Sequence, residues 1–189
     1  MTWGEVKLAT LQKMFSAESL TINENDESIR TYIYAMPQAA NEGLQLLSTA
    51  GKFLRKHAEF EEGKHDLKEE LPDFYDTGMF EVYFSEDMSP CYTAKLVAGQ
   101  FLVSPGKITF FYNAWPPTIT SATQDSMELP LDPEVVVLLP LYMASQLYKD
   151  DDISISTVYR NEFEVARELL VNRDGGVFTG DFTSVTGWW

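Results

Sequence analysis

The sequence predicts an α+β fold: a helical bundle with an inserted antiparallel β subdomain and an extended C-terminal tail. Three observations predict it. Apolar residues recur at helical spacing in the first third of the chain and again beyond residue 132. The stretch between is rich in aromatic and β-branched residues cut by Gly, Pro and Ser. The last residues hold four glycines and no helical period. The expected divisions are 1–56 and 130–172 for the two parts of the bundle, 57–129 for an acidic linker and the β subdomain, and 173–189 for the tail.

Each element has a local reason. In residues 3–15 the apolar positions Val6, Leu8, Leu11, Met14 and Phe15 approximate one helix face. Asn25 or Asp26 is placed to cap a second helix, whose stripe begins Ile29, Tyr32, Ile33, Met36. Pro37 lacks an N–H and should kink or restart that helix. Beyond it Ala40, Leu44, Leu47 and Leu54 carry the stripe to an end near Lys56, where Lys52, Arg55 and Lys56 suit the negative end of a helix dipole.

Residues 58–76 hold eight acids against two lysines and read as an exposed connection. Strand chemistry follows at 79–84, 92–98, 100–103, 108–115 and 118–121, with Ser104-Pro105-Gly106 as a turn and Trp115-Pro116-Pro117 as a break. The 75 residues from His57 to Leu131 exceed any plain loop, since connections above about 15 residues are rare. Asp132-Pro133-Glu134 then starts a helix, with a capping acid, a proline in the first turn and an acid at the positive dipole end. Val135, Leu138, Leu139, Tyr142 and Leu147 form its expected buried face, and Pro140 bends it. Asp150-Asp151-Asp152 ends it and caps a last helix, in which Ile155, Val158, Tyr159, Phe163, Ala166 and Leu170 recur at helical spacing.

Composition excludes several function classes. A chain of 189 residues at a net charge of −15 has no basic face with which to neutralise nucleic-acid phosphates. No run of about 20 apolar residues is present, so no membrane span is expected. Cys91 alone can form no internal disulfide and fits a reducing cytoplasm where the chain is made. His57 and His65 lack metal-ligand spacing, and Cys91 lacks a neighbouring base. Asp150 to Tyr159 has neither the alternate acids nor the glycine of a calcium loop, and no glycine run has the pattern of a phosphate loop. The reading is therefore no enzyme, no metal and no cofactor. The aromatic run Phe110-Phe111-Tyr112 to Trp115, with Tyr83 and Tyr92, could line a glycan platform, though one-sided burial of a strand explains it more simply. The tail residues Phe178, Phe182, Trp188 and Trp189 either fold back on their own core or dock on another subunit.

Two segments carry a resemblance. Ile29-Arg30-Thr31-Tyr32-Ile33-Tyr34-Ala35-Met36-Pro37-Gln38-Ala39-Ala40-Asn41-Glu42-Gly43-Leu44 is the first. The second and more specific is Leu139-Pro140-Leu141-Tyr142-Met143-Ala144-Ser145-Gln146-Leu147-Tyr148-Lys149-Asp150-Asp151-Asp152, continuing to Tyr159-Arg160-Asn161-Glu162-Phe163-Glu164. Together they resemble the head–tail connector, or neck adaptor, proteins of tailed phages and prophages of Gram-positive bacteria. The likeness covers the helical half; the strand-rich insertion departs from the compact helical plan of simple adaptors. The resemblance implies a virion neck subunit, made in the host cytoplasm, that assembles with copies of itself as a dodecameric ring matching the portal. Its implied partners are the portal protein and a downstream neck or tail protein, with DNA passing through without tight binding. The expected assembly residues are Phe178, Phe182, Trp188 and Trp189, with Arg160 and Glu162 as interface or bundle-locking groups. A tail-completion or baseplate subunit, or a glycan-binding accessory module, is the alternative.

Overall fold

In the computed structural model, which describes residues 1–15, 26–49, 54–75, 80–104 and 106–174, the elements follow in order. They are α1 (Trp3–Phe15), α2 (Glu27–Thr49), β1 (Leu54–Phe60), β2 (Gly63–Asp66), α3 (Leu67–Glu70), β3 (Glu81–Phe84), β4 (Lys95–Val97), β5 (Gln100–Val103) and β6 (Ile108–Ala114), then α4 (Pro133–Val136), α5 (Leu139–Leu147) and α6 (Ile153–Asp174). The fold is α+β, with one apolar core among the helices and a second within the strands.

Helix α5 is the centre of the helical core and packs against α1, α2 and α6. Trp3, Val6, Leu11, Met36, Leu44, Leu47, Leu139, Met143 and Phe163 are buried there, each contributing about 1.5–3 kcal/mol of apolar burial. Gly43 lets α2 and α5 approach closely: a Cβ at this position would lie 2.6 Å from Leu139 Cδ1 and 2.9 Å from Tyr142 Cδ1. Helix α1 ends with carbonyls that have no partner within the helix. Tyrosines from the other end of the chain satisfy two of them, Tyr159 Oη donating to the Lys13 carbonyl at 2.6 Å and Tyr148 Oη to that of Met14.

The segment after the strands also belongs to the helical core. Ile119 and Leu129 are buried in it. The Trp3 N–H donates to the Met127 carbonyl at 2.8 Å, Gly4 N–H to Asp125 at 2.9 Å, and Leu129 N–H to Met1 at 3.1 Å. The expected strand at 118–121 does not form; Asn41 grips Ile119 instead, accepting from its N–H and donating to its carbonyl, both at 2.8 Å. The β unit therefore ends at Ala114 and not near residue 129.

The β unit also begins earlier than expected, because residues 54–60 are strand β1 and not the end of a helix. Their basic side chains serve sheet and loop neighbours: Arg55 pairs with Glu81 at 3.2 Å and Lys56 with Asp73 at 2.5 Å. Residues 58–75 of the acidic stretch are likewise structured, holding β2, α3 and the buried Phe60 and Leu67. Strands β1 and β2 run antiparallel to β6 and β5, with Phe60 opposite Ile108 and Gly63 opposite Val103. Three steps along one strand thus face five along the other, so the surplus residues around Gly106 turn a corner, and Gly106 takes φ +94° there. Sheets β1-β6-β3 and β2-β5-β4 enclose Phe60, Phe101, Val103, Ile108, Phe110 and Tyr112.

Two further expectations need correction. Helix α2 does not restart at Pro37 but runs through it as one element, the burial of Met36, Ala39, Ala40 and Leu44 holding it together across the missing backbone bond. The helix from Pro133 is split into α4 and α5. Pro140 cannot donate to the Val136 carbonyl, so the first segment closes at Val137–Leu138 and a new one starts. Asp132 makes no side-chain cap bond; its carbonyl accepts from Val135 and Val136.

Candidate functional site

Helix α6 carries two of the residues expected at an interface, Arg160 and Glu162, and the structure places them on different faces. The helix starts at a well-made cap, Asp152 Oδ1 accepting from the N–H groups of Ser154 at 2.8 Å and Ile155 at 3.1 Å. Asp151 accepts from the Tyr32 hydroxyl. The acid run thus supplies a cap and a tie to α2. Among the described residues no group of three His, Cys, Asp or Glu side chains is placed to hold a metal ion.

The inner face of α6 meets α5 through the buried Phe163, with Ala166 and Leu170 packed on the same core. The Tyr142 and Phe163 rings lie 5.1 Å apart. Arg160 covers this pair, its guanidinium 5.0 Å from the Tyr142 ring centroid and 5.7 Å from that of Phe163. Glu164 holds the guanidinium in place, accepting from Nε at 2.9 Å and Nη2 at 2.6 Å, and Arg167 reaches the other Glu164 oxygen at 2.7 Å. The Tyr142 hydroxyl donates to Glu42 of α2 at 3.3 Å. Burial and the Glu42 charge raise the Tyr142 pKa, with Arg160 opposing them. Arg160 is thereby part of the lock between α6, α5 and α2.

A second, adjacent side of α6 is apolar and exposed among the described residues. Ile155, Val158, Val165 and Leu169 are exposed, Val165 to 59% and Leu169 to 66%. They recur at alternating three- and four-residue intervals, and Glu162 occupies the position between Val158 and Val165. With 3.6 residues per turn, this line lies roughly 95° round the helix from the line through Tyr159, Phe163, Ala166 and Leu170. The apolar arc of α6 is therefore wider than α5 can cover. The sequence expectation merged the two lines, placing Ile155 and Val158 in one helical spacing with Phe163 and passing over Val165 and Leu169. The width of the apolar arc, measured against one neighbouring helix, was the signal that separates them. The aromatic expectations for the tail fall on Phe178, Phe182, Trp188 and Trp189, which lie outside the described residues.

Elsewhere the chemistry-bearing residues are occupied structurally. His65 faces Glu70 at 3.1 Å and the Glu61 carbonyl at 2.9 Å. Cys91 is buried, its sulfur 3.4 Å from the Thr93 hydroxyl. Of the aromatic run, Phe110 and Tyr112 are core, Phe111 packs edge-on against Tyr83, and Tyr92 stands exposed. A cleft of about 700 Å³ beneath Trp115-Pro116-Pro117 contains Lys56 and Asp73, which are paired with each other. No described helix is long and apolar enough to cross a membrane. No family model and no curated protein matches the chain.

Proposed function

We propose that this protein is a structural, non-enzymatic virion subunit: a head–tail connector that assembles with copies of itself as a ring between portal and tail. The observation that carries the reading is the exposed apolar line of α6, Ile155, Val158, Val165 and Leu169, on a helix whose adjacent side is already locked to the bundle. Large apolar side chains aligned on one exposed face mark a protein-binding surface. A ring requires such a face to meet a different patch on the next copy. The likeness of residues 29–44 and 139–164 to neck adaptors supports the same reading, because those segments build the α2–α5–α6 framework that presents the face. The net charge of −15 suits a conduit, since acids along a passage repel phosphates and favour sliding.

The test is electron microscopy and mass photometry of the protein alone and mixed with portal rings from the same genome. Rings formed on the portal, and lost in the Val165→Glu, Leu169→Glu double variant with helical content unchanged, are the expected result. Assembly unaffected by both charges would remove the α6 face from the reading. Failure to associate with the portal, together with turnover of a small molecule at a defined cleft, would overturn the function itself.

A further inference from the structure

A second feature, separate from the α6 face, is a cleft of about 130 Å³ where α1, α2 and the segment after β6 meet. Its charged lining consists of Lys7, Arg30 and Asp125. Lys7 is a buried cation: its side chain is 7% exposed, with Nζ 2.7 Å from Asp125 and 5.9 Å from the centroid of the Trp3 ring. Arg30 lies at the rim, its guanidinium 5.5 Å from the Tyr34 ring centroid and its Nε donating to the Tyr34 hydroxyl at 3.3 Å. Among the described residues no carboxylate pairs with Arg30. Thr120, Ser121 and Thr123 add hydroxyls, and Trp3, Ile33 and Pro37 form apolar walls.

We propose that this cleft binds a carboxylate group. Arg30 places a cation with no carboxylate partner among the described residues at this cleft, in a chain of net charge −15. The volume is well below the roughly 300–1,000 Å³ of a drug-sized site, so the ligand is a compact group. The planar guanidinium of Arg30 matches a carboxylate through two parallel hydrogen bonds, and stacking on Tyr34 orients it for that role. Lys7 is already charge-paired with a carboxylate, that of Asp125, which leaves Arg30 as the group that meets the ligand. The apolar walls accept the short hydrocarbon body that carries the ligand's charge. Such a carboxylate comes either from a free small acid or from an acidic side chain of a protein.

Titration of isotope-labelled full-length protein by NMR tests this, using sodium acetate, sodium benzoate and a doubly capped aspartate, with sodium chloride holding ionic strength constant. Saturable shifts at the Trp3 indole N–H and at Lys7 and Tyr34 are expected, weakened by about tenfold or more in Arg30→Gln, an exposed substitution that leaves the fold intact by circular dichroism. Tighter binding of the capped aspartate assigns the site to a protein side chain, and tighter binding of benzoate to a free acid. Shifts that rise linearly without saturating, affinity unchanged in Arg30→Gln, or inorganic phosphate binding as tightly as acetate, would each overturn the proposal. The outcome is independent of whether the α6 face assembles.

Discussion

Asn41 holds Ile119 by both of its backbone polar groups, across 78 positions of sequence. The side-chain amide does what a neighbouring strand would do, and it fastens the segment that returns from the β unit onto α2. Replacing Asn41 by Ala leaves a part-buried N–H and carbonyl without partners, which costs about 1–3 kcal/mol for a desolvated group. Urea unfolding should show that loss, and limited proteolysis should find residues 116–120 cut sooner than in the parent.

Substitution of Gly43 by Ala should destabilise the protein even though alanine favours a helix interior by about 0.5–1 kcal/mol. The added methyl meets Leu139 and Tyr142 within 3 Å, and forcing a packed pair of helices apart costs about 1–3 kcal/mol. A melting temperature equal to or above that of the parent would show that α5 shifts freely, contrary to its central position.

Alkaline pH should unfold the protein through its tyrosines. The Tyr32 hydroxyl, bonded to Asp151, has its pKa pushed up to about 12, and Tyr112, buried beside Asp73, is also raised to about 12. A group whose folded pKa lies above its unfolded value of about 10 contributes stability in full below pH 10. That contribution is lost as pH climbs to 12. Denaturation midpoints measured from pH 8 to 12 should fall across this window, and Tyr32→Phe should fall less steeply than the parent.

Arg160 and Glu162 should behave as opposites. Arg160→Ala removes a guanidinium from two rings and from Glu164, and should lower stability by about 1 kcal/mol. Glu162→Leu completes an exposed apolar line, and should leave the unfolding midpoint within about 0.5 kcal/mol while promoting self-association. Thermal melts and sedimentation velocity separate the two, and a destabilised Glu162→Leu variant would contradict the placement of that residue.

The legible parts of the fold were those with local causes. The start of a helix at Pro133 and the cap at Asp152 follow from side chains acting within one turn, whereas at Pro140 the place of the disturbance was legible and the split into two helices was not. Strand β1 was misread because Leu54 to Phe60 becomes a strand only by pairing with Ile108 to Ala114, more than forty residues away. Residues 118–121 failed in the opposite sense: their composition suits a strand, but Asn41 offers side-chain hydrogen bonds in place of a sheet edge. The α6 face was half legible. Periodicity revealed the helix, while the division of its apolar residues between covered and open sides depends on how many helices lie beside it. The Lys7 cleft left no sequence signal, since its walls come from α1, α2 and a distant irregular segment.

Leu54 and Ala114 face each other at the mouth of the β unit, so the polypeptide departs from the helices and rejoins them about one strand spacing, roughly 5 Å, apart. Among the described residues, every side chain of the helical core comes from outside residues 54–114, and every one of the second core from inside them. The strands therefore form a removable cassette. A short splice in their place would retain the whole helical framework, and chains of quite different length can share one scaffold while exchanging what they carry on top of it.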